Sequence, residues 1–107
     1  MAEATLPPFG ILIPGSEVQY NFEQFGDKGV VTIANPGQYN VIGFFMNKPL
    51  ADSTVGASLS YSSPPDYSGI TFIGAIANAR PSDIFHTGWA LNPDVNLLTE
   101  LKLIVQI

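Results

Sequence analysis

Apolar and polar residues alternate along several short segments of the chain, which is the spacing of a β-strand with one buried face. The clearest case lies between Leu98 and Ile107, where every second residue from Leu101 onward is apolar. The same period occurs from Val18 to Phe22 and from Val55 to Ser62. The pattern therefore predicts a half-buried strand at each of these three places.

The segment from Tyr39 to Met46 is different, because its apolar residues are nearly continuous. A run of this kind is typical of a strand that is covered on both faces. We therefore expect it to be the central strand of the core, or the strand that meets another subunit.

Two further apolar runs, Phe9 to Ile13 and Val30 to Ile33, are short enough to be strands. Proline and glycine separate most of the runs, and the segment 63–66 is the richest in turn-forming residues, so we expect a surface loop there. No segment carries a helical stripe and no repeat is visible. About eight short strands at even spacing predict an all-β fold, a single antiparallel, jelly-roll-like β-sandwich over residues 1–107.

The most informative local pattern is an apolar strand, Ile70 to Ala77, followed by a polar corner, Asn78 to Ser82. A second short strand follows around Ile84 and Phe85. Pro81 fixes its own φ and biases the residue before it towards extended geometry. We therefore expect a rigid corner between two strands.

Hydrophobic residues make up 46% of the 107 residues and charged residues only 12%. The charged share is about half of the usual value. Either a partner or a second copy covers part of this charge-poor surface, or the sandwich is surfaced with uncharged polar side chains. The chain ends on an unbroken strand, as a domain cut from a longer parent would.

The net charge of −5 argues against nucleic acid as a partner, because affinity for phosphates needs clustered cations. The four cations of this chain are scattered: Lys28, Lys48, Arg80 and Lys102. No apolar run approaches the length of a membrane span, and the first residues lack the pattern of a secretion signal. There is no cysteine, which fits a reducing compartment.

The sequence offers few residues that could act in catalysis. His86 is the only histidine, and it lies three residues from Asp83 in a predicted strand, which puts the two on opposite faces. The carboxylates show no calcium-loop spacing, and Gly69 and Gly74 do not form a dinucleotide motif. We therefore predict no catalytic residue, no metal ligand and no cofactor. A pair of carboxylates across a sugar cleft stays open as an alternative.

Several motifs together resemble the amino-terminal domain of the Hikeshi family, the nuclear import carriers of heat-shock chaperones. One is the opening Phe9 to Gly15, followed by Val-Gln at 18–19. Another matches a family segment of the form Leu-Gly-x-x-x-Asn-x-Lys-Pro-Ser-x-Ile-Phe, with the matching residues Gly74, Asn78, Arg80, Pro81, Ser82, Ile84 and Phe85. Between these, the apolar strand after Asn40 and the segment 56–61 also follow the family order.

The resemblance implies a non-enzymatic β-sandwich that dimerises with the help of a second, helical domain. It further implies binding to the ATP form of seventy-kilodalton heat-shock chaperones and to phenylalanine-glycine repeats of nucleoporins, in the cytoplasm and the nucleus. From it we expect a homo-oligomer whose partner-contact residues are Phe72, Arg80, Pro81, Phe85 and Trp89. A purely structural role, fixing and burying the corner, is the alternative for Pro81 and Phe85.

Two other classes of function remain open at this stage. The low charge and continuous apolar strands also fit a structural, self-assembling subunit of a larger particle. Trp89 and the tyrosines fit either a sugar-binding platform or, as amphipathic rings, the core or an interface.

Overall fold

A computed structural model of the chain describes residues 9–20, 22–52 and 54–107. Within these ranges the chain forms eight strands and two short 3-10 helices, at Pro36–Gln38 and Trp89–Leu91. The strands are β1 (Phe9–Leu12), β2 (Glu23–Phe25), β3 (Lys28–Ala34), β4 (Val41–Met46), β5 (Gly56–Ser62), β6 (Thr71–Ala77), β7 (Ser82–His86) and β8 (Glu100–Gln106). The predicted all-β fold of about eight strands is confirmed.

The strands pair into two antiparallel sheets that pack face to face. The smaller sheet has the order β1-β4-β7, and the larger has the order β2-β3-β8-β5-β6. The predicted β-sandwich is therefore confirmed, and β4 is the central strand of the smaller sheet.

The core fills the space between the two inner faces. On β8 the residues Leu101, Leu103 and Val105 point inward, as their alternation predicts, and the first two have no exposed surface. Ile42 and Phe44 of β4 meet them from the smaller sheet and are also fully buried. Burying a side chain of this size stabilises the fold by about 1.5–3 kcal/mol, so these inward rows supply most of the driving force.

The outer face of β4 differs from the expectation of coverage on both sides. Within the described ranges no further layer lies over it, and Val41 and Phe45 are only half-buried. The run is nevertheless apolar because Phe45 folds over Gly10 of β1 and meets Tyr20 edge-on, with ring centroids 6.2 Å apart.

The strand predicted from Val18 to Phe22 is wrong for the residues that the structure describes there. Only Gln19 pairs, through a single bridge to Ile11 of β1 at 3.0 and 2.8 Å. The chain here crosses from the edge of the smaller sheet to the edge of the larger one, so its apolar residues cover the gap between sheets. Regular pairing resumes at β2, and a two-residue turn containing Gly26, whose φ is +64°, leads into β3.

Candidate functional site

The corner between β6 and β7 is where the chain passes from the larger sheet to the smaller one. Arg80 still pairs with Ala77 of β6, through two backbone hydrogen bonds of 2.9 and 3.1 Å. The carbonyl of the next residue, Pro81, already accepts from the Met46 N–H of β4 at 2.9 Å. Proline suits the changeover because it has no N–H that would need a partner.

The side-chain amide of Asn78 holds this corner to the chain that follows β4. Its Oδ1 accepts from the Leu50 N–H at 2.6 Å, and its Nδ2 donates to the Leu50 carbonyl at 2.9 Å. The amide therefore pairs with both backbone groups of one residue, as a neighbouring strand would. The Asn-x-Arg-Pro motif thus has a structural role at the corner.

Phe85 packs from β7 against the backbone of Gly74 in the opposite sheet. The ring occupies the space that a β-carbon at Gly74 would take. Two residues of the family-like motif are therefore explained by the close approach of β6 and β7.

Asp83 closes part of the free edge of β7. Its Oδ1 accepts from the Ile84 N–H at 2.7 Å, and its Oδ2 lies 2.9 Å from the Arg80 guanidinium. The Arg80 side chain is 71% exposed, so the ion pair itself adds little stability. This cap, the hydrogen bond from the Ile84 N–H to Asp83, matters more for the edge. An N–H that is already bonded is not offered to another strand.

The five residues expected to contact a partner do not share one surface. Phe72 is 65% exposed on the outer face of the larger sheet, whereas Arg80 and Pro81 lie exposed at the corner. Phe85 is half-buried beneath β6. Trp89 has no exposed surface and belongs to the core, so the expectation that it touches a partner is corrected.

A concave site of a different kind lies on the opposite side of the sandwich, between β1 and the β2–β3 hairpin. This cleft has a volume of about 320 Å³. Its walls are mostly apolar and include three aromatic rings, and one carboxylate lies among the lining residues: Phe9, Tyr20, Phe22, Gln24, Asp27, Gly29, Val105 and Ile107.

The cleft exists because the two sheets differ in width. The smaller sheet has three strands and the larger has five, so no strand of the described ranges lies opposite β2. On the inner face beside β2, the inward position of β3 is Gly29, which pairs with Gln24 on one side and Val105 on the other. Because glycine has no side chain, the space above Gly29 stays open. The rings of Tyr20 and Phe22 line this space but do not fill it.

Within the described residues the Asp27 carboxylate accepts one hydrogen bond, from the last strand. Its Oδ2 accepts from the Gln106 Nε2 at 3.0 Å. Asp27 is exposed and follows Gly26 in the turn between β2 and β3. One carboxylate oxygen is thereby held in place while the group stays accessible to solvent and to a ligand.

Tyr20 connects the cleft with the outer face of the smaller sheet. Its ring lines the cleft and also packs against Phe45 above Gly10. Beyond Phe45 a shallow groove of about 520 Å³ follows, whose exposed apolar residues Leu12 and Ile84 lie on either side of a glycine, Gly43. The contact between the Tyr20 and Phe45 rings thus links a wall of the cleft to a wall of the groove.

The sequence interpretation missed the cleft. Its one local signal is Gly29, a glycine at the first inward position of the alternation Gly29, Val31, Ile33. A glycine inside a strand often marks a place where something else approaches the backbone closely. The other walls come from segments far apart in the chain, so spacing could not have brought them together.

On the outer face of the larger sheet, the loop after β5 folds back over β8. Tyr67 lies in this loop, and the Lys102 Nζ is 4.5 Å from the centre of its ring. Partial burial raises the pKa of the Tyr67 phenol, and the Glu100 carboxylate adds to the increase. The phenol therefore stays protonated at neutral pH. Its ring packs over the Lys102 side chain of β8.

Among the described residues no three acidic or histidine side chains come together in a way that would hold a metal ion. No helix in the same ranges is long and apolar enough to cross a membrane. Searches of family models and of curated proteins match nothing to this chain.

Proposed function

We propose that the chain is a non-enzymatic protein-binding module that holds isolated aromatic side chains of a partner in its cleft. The observation that supports the proposal is the 320 Å³ cleft with three aromatic rings in its walls. Its volume lies at the lower end of the range for ligand sites, which suits one ring and a short piece of chain. Its apolar lining would remove such a ring from water.

Within this proposal the chain acts as a Hikeshi-like transport adaptor, in the cytoplasm and the nucleus. The motifs quoted above support that role, and phenylalanine-glycine repeats of nucleoporins offer the isolated rings that the cleft would take. The ATP form of a seventy-kilodalton heat-shock chaperone is the second proposed partner. The corner residues that carry the motif contribute to the fold. We therefore propose the cleft, and not the corner, as the site that contacts the nucleoporin repeats.

The experiment measures binding of the chain to an immobilised phenylalanine-glycine repeat and, separately, to the chaperone with ATP. We expect weak binding to the repeat and none to a repeat whose phenylalanines are replaced by serine. Gly29→Val should abolish the interaction, since its side chain would project into the cleft and its β-carbon would make only ordinary contacts with Phe22 and Gln24. Equal binding of wild type and Gly29→Val, or no binding of the wild type, would remove the repeat-binding role.

A self-associating subunit is the second candidate, and the groove on the smaller sheet favours it. Leu12 and Ile84 are 39% and 55% exposed there, on either side of Gly43, which has no side chain to separate them. A second copy seated on this face would cover both side chains. Light scattering over a range of concentrations tests it: Ile84→Lys should lower the apparent mass if the groove is the contact, and a monomeric wild type rules it out.

A further inference from the structure

We propose that the cleft distinguishes among ring-bearing segments by charge: it prefers an aromatic residue whose neighbour in the partner chain is positively charged, held by Asp27. The inference rests on the proposed function, because it names the class of segment that the same cleft would select. It adds a polar requirement to an otherwise apolar site.

The size of the cleft limits the apolar part of the occupant to one ring. A closed cavity of about 150 Å³ is large enough for benzene. The cleft measures about 320 Å³, which leaves room beside one ring for backbone and the start of a neighbouring side chain. Phe9 and Val105 lie on its inner side, while Asp27 lies in an exposed turn. A buried ring would therefore bring the adjacent residue of its own chain close to the carboxylate.

The Asp27 carboxylate forms no ion pair within the described part of the protein. The lining includes no lysine or arginine, and the ion pair seen within the described ranges involves other residues, Arg80 and Asp83. Lys28 follows Asp27 and pairs across the sheet with Gln106, yet it makes no ion pair with the carboxylate. A carboxylate offers about four acceptor positions, and the Gln106 Nε2 uses one of them.

Long-range electrostatics favour the same preference. The chain carries a net charge of −5, so its average field attracts cations. The contact with Asp27 is exposed, and an exposed ion pair is weak and screened by salt. We therefore expect a preference of about threefold to fivefold at low ionic strength, and a smaller one in high salt.

The test uses three capped tetrapeptides with the sequence Gly-Phe-X-Gly, in which X is lysine, glutamine or glutamate. Binding to the full chain is followed by NMR titration of the Gly29 amide and the Ile107 methyl groups, at low and at high salt. Asp27→Asn removes the charge while its side-chain oxygen still accepts from Gln106. Gly29→Val fills the cleft, and Gly69→Val places the same side chain on an open loop position as its control.

The expected order is lysine, then glutamine, then glutamate for the wild type and for Gly69→Val. In Asp27→Asn the lysine preference should shrink to the small part that the chain's average field supplies, and in Gly29→Val no peptide should bind. If all three bind the wild type equally, or the lysine preference is undiminished in Asp27→Asn, the charge selection is overturned while ring binding stands. If no peptide shifts the cleft signals, both this inference and the proposed ring binding fail.

Discussion

The ring of Phe85 lies so close to the Cα of Gly74 that a methyl group on Gly74 would overlap three of its carbon atoms. Gly74→Ala must therefore displace either the ring or a strand, and overpacking of this kind costs about 1–3 kcal/mol. Urea unfolding should show a lower midpoint. Gly69→Ala, at a position with open space around it, should stay within about 0.5 kcal/mol of the wild type.

The same pair allows a double-mutant cycle. Phe85→Leu removes the aromatic ring that causes the overlap, so Gly74→Ala should cost less in that background than in the wild type. Strictly additive changes in the free energy of unfolding would mean that the two residues do not constrain each other.

Asn78 should be the most sensitive polar residue of the corner. Asn78→Ala leaves the half-buried Leu50 N–H and carbonyl without their side-chain partners, and the loss of each net hydrogen bond costs about 0.5–1.5 kcal/mol. Asn78→Asp keeps an acceptor for the Leu50 N–H but sets its second carboxylate oxygen against the Leu50 carbonyl, so its midpoint should also fall. Thermal unfolding checks both variants, and an unchanged midpoint in both would contradict the two-point contact.

Removal of the Asp83 carboxylate should change association more than stability. Asp83→Ala frees the Ile84 N–H at the edge of β7 and removes an exposed ion pair worth at most about 1 kcal/mol. An uncapped edge offers a pairing site to another strand, so light scattering should detect larger species at high concentration. Arg80→Ala removes the same ion pair but keeps the hydrogen bond from the Ile84 N–H to Asp83. Its size distribution in light scattering should therefore match that of the wild type.

Asp66 should titrate below its ordinary value. The backbone N–H of Ser68 and then the Ser68 hydroxyl, which donate at 3.2 and 3.1 Å, lower the pKa of its carboxylate from 3.8. A lowered pKa in the folded state means that the stabilisation is complete above the unfolded value and is lost as the pH falls through the folded one. Ser68→Ala should raise the pKa of Asp66 only part of the way, because the N–H contact remains, and a carbon-13 NMR titration would measure it.

The alternating segments were predictable because their burial depends on local spacing. The row Leu101, Leu103 and Val105 faces inward as expected, and β6 and β7 flank the corner close to their predicted bounds. The segment around Tyr20 has the same alternation, yet its side chains cover the gap between sheets. Periodicity alone could not separate these cases, because the difference lies in which strand is available to pair.

The candidate site was less predictable than the fold. The family resemblance predicts Phe72, Arg80 and Trp89 as partner contacts, but the sandwich places them on an outer face, at the corner and in the core. The cleft depends on the unequal widths of the two sheets and on walls contributed by both chain ends. Neither property is encoded in a short motif.

The passage of the chain between sheets at Arg80 and Pro81 has a mechanical consequence. Covalent continuity and the bonds to Ala77 and Met46 tie the layers together along the β6–β7 side. The chain also crosses between the sheets on the far side, where Gly29 lies, but among the described residues of that crossing only Gln19 pairs with β1, and β2 has a single partner strand. Deuterium uptake should accordingly be faster around the β2–β3 hairpin than around the corner.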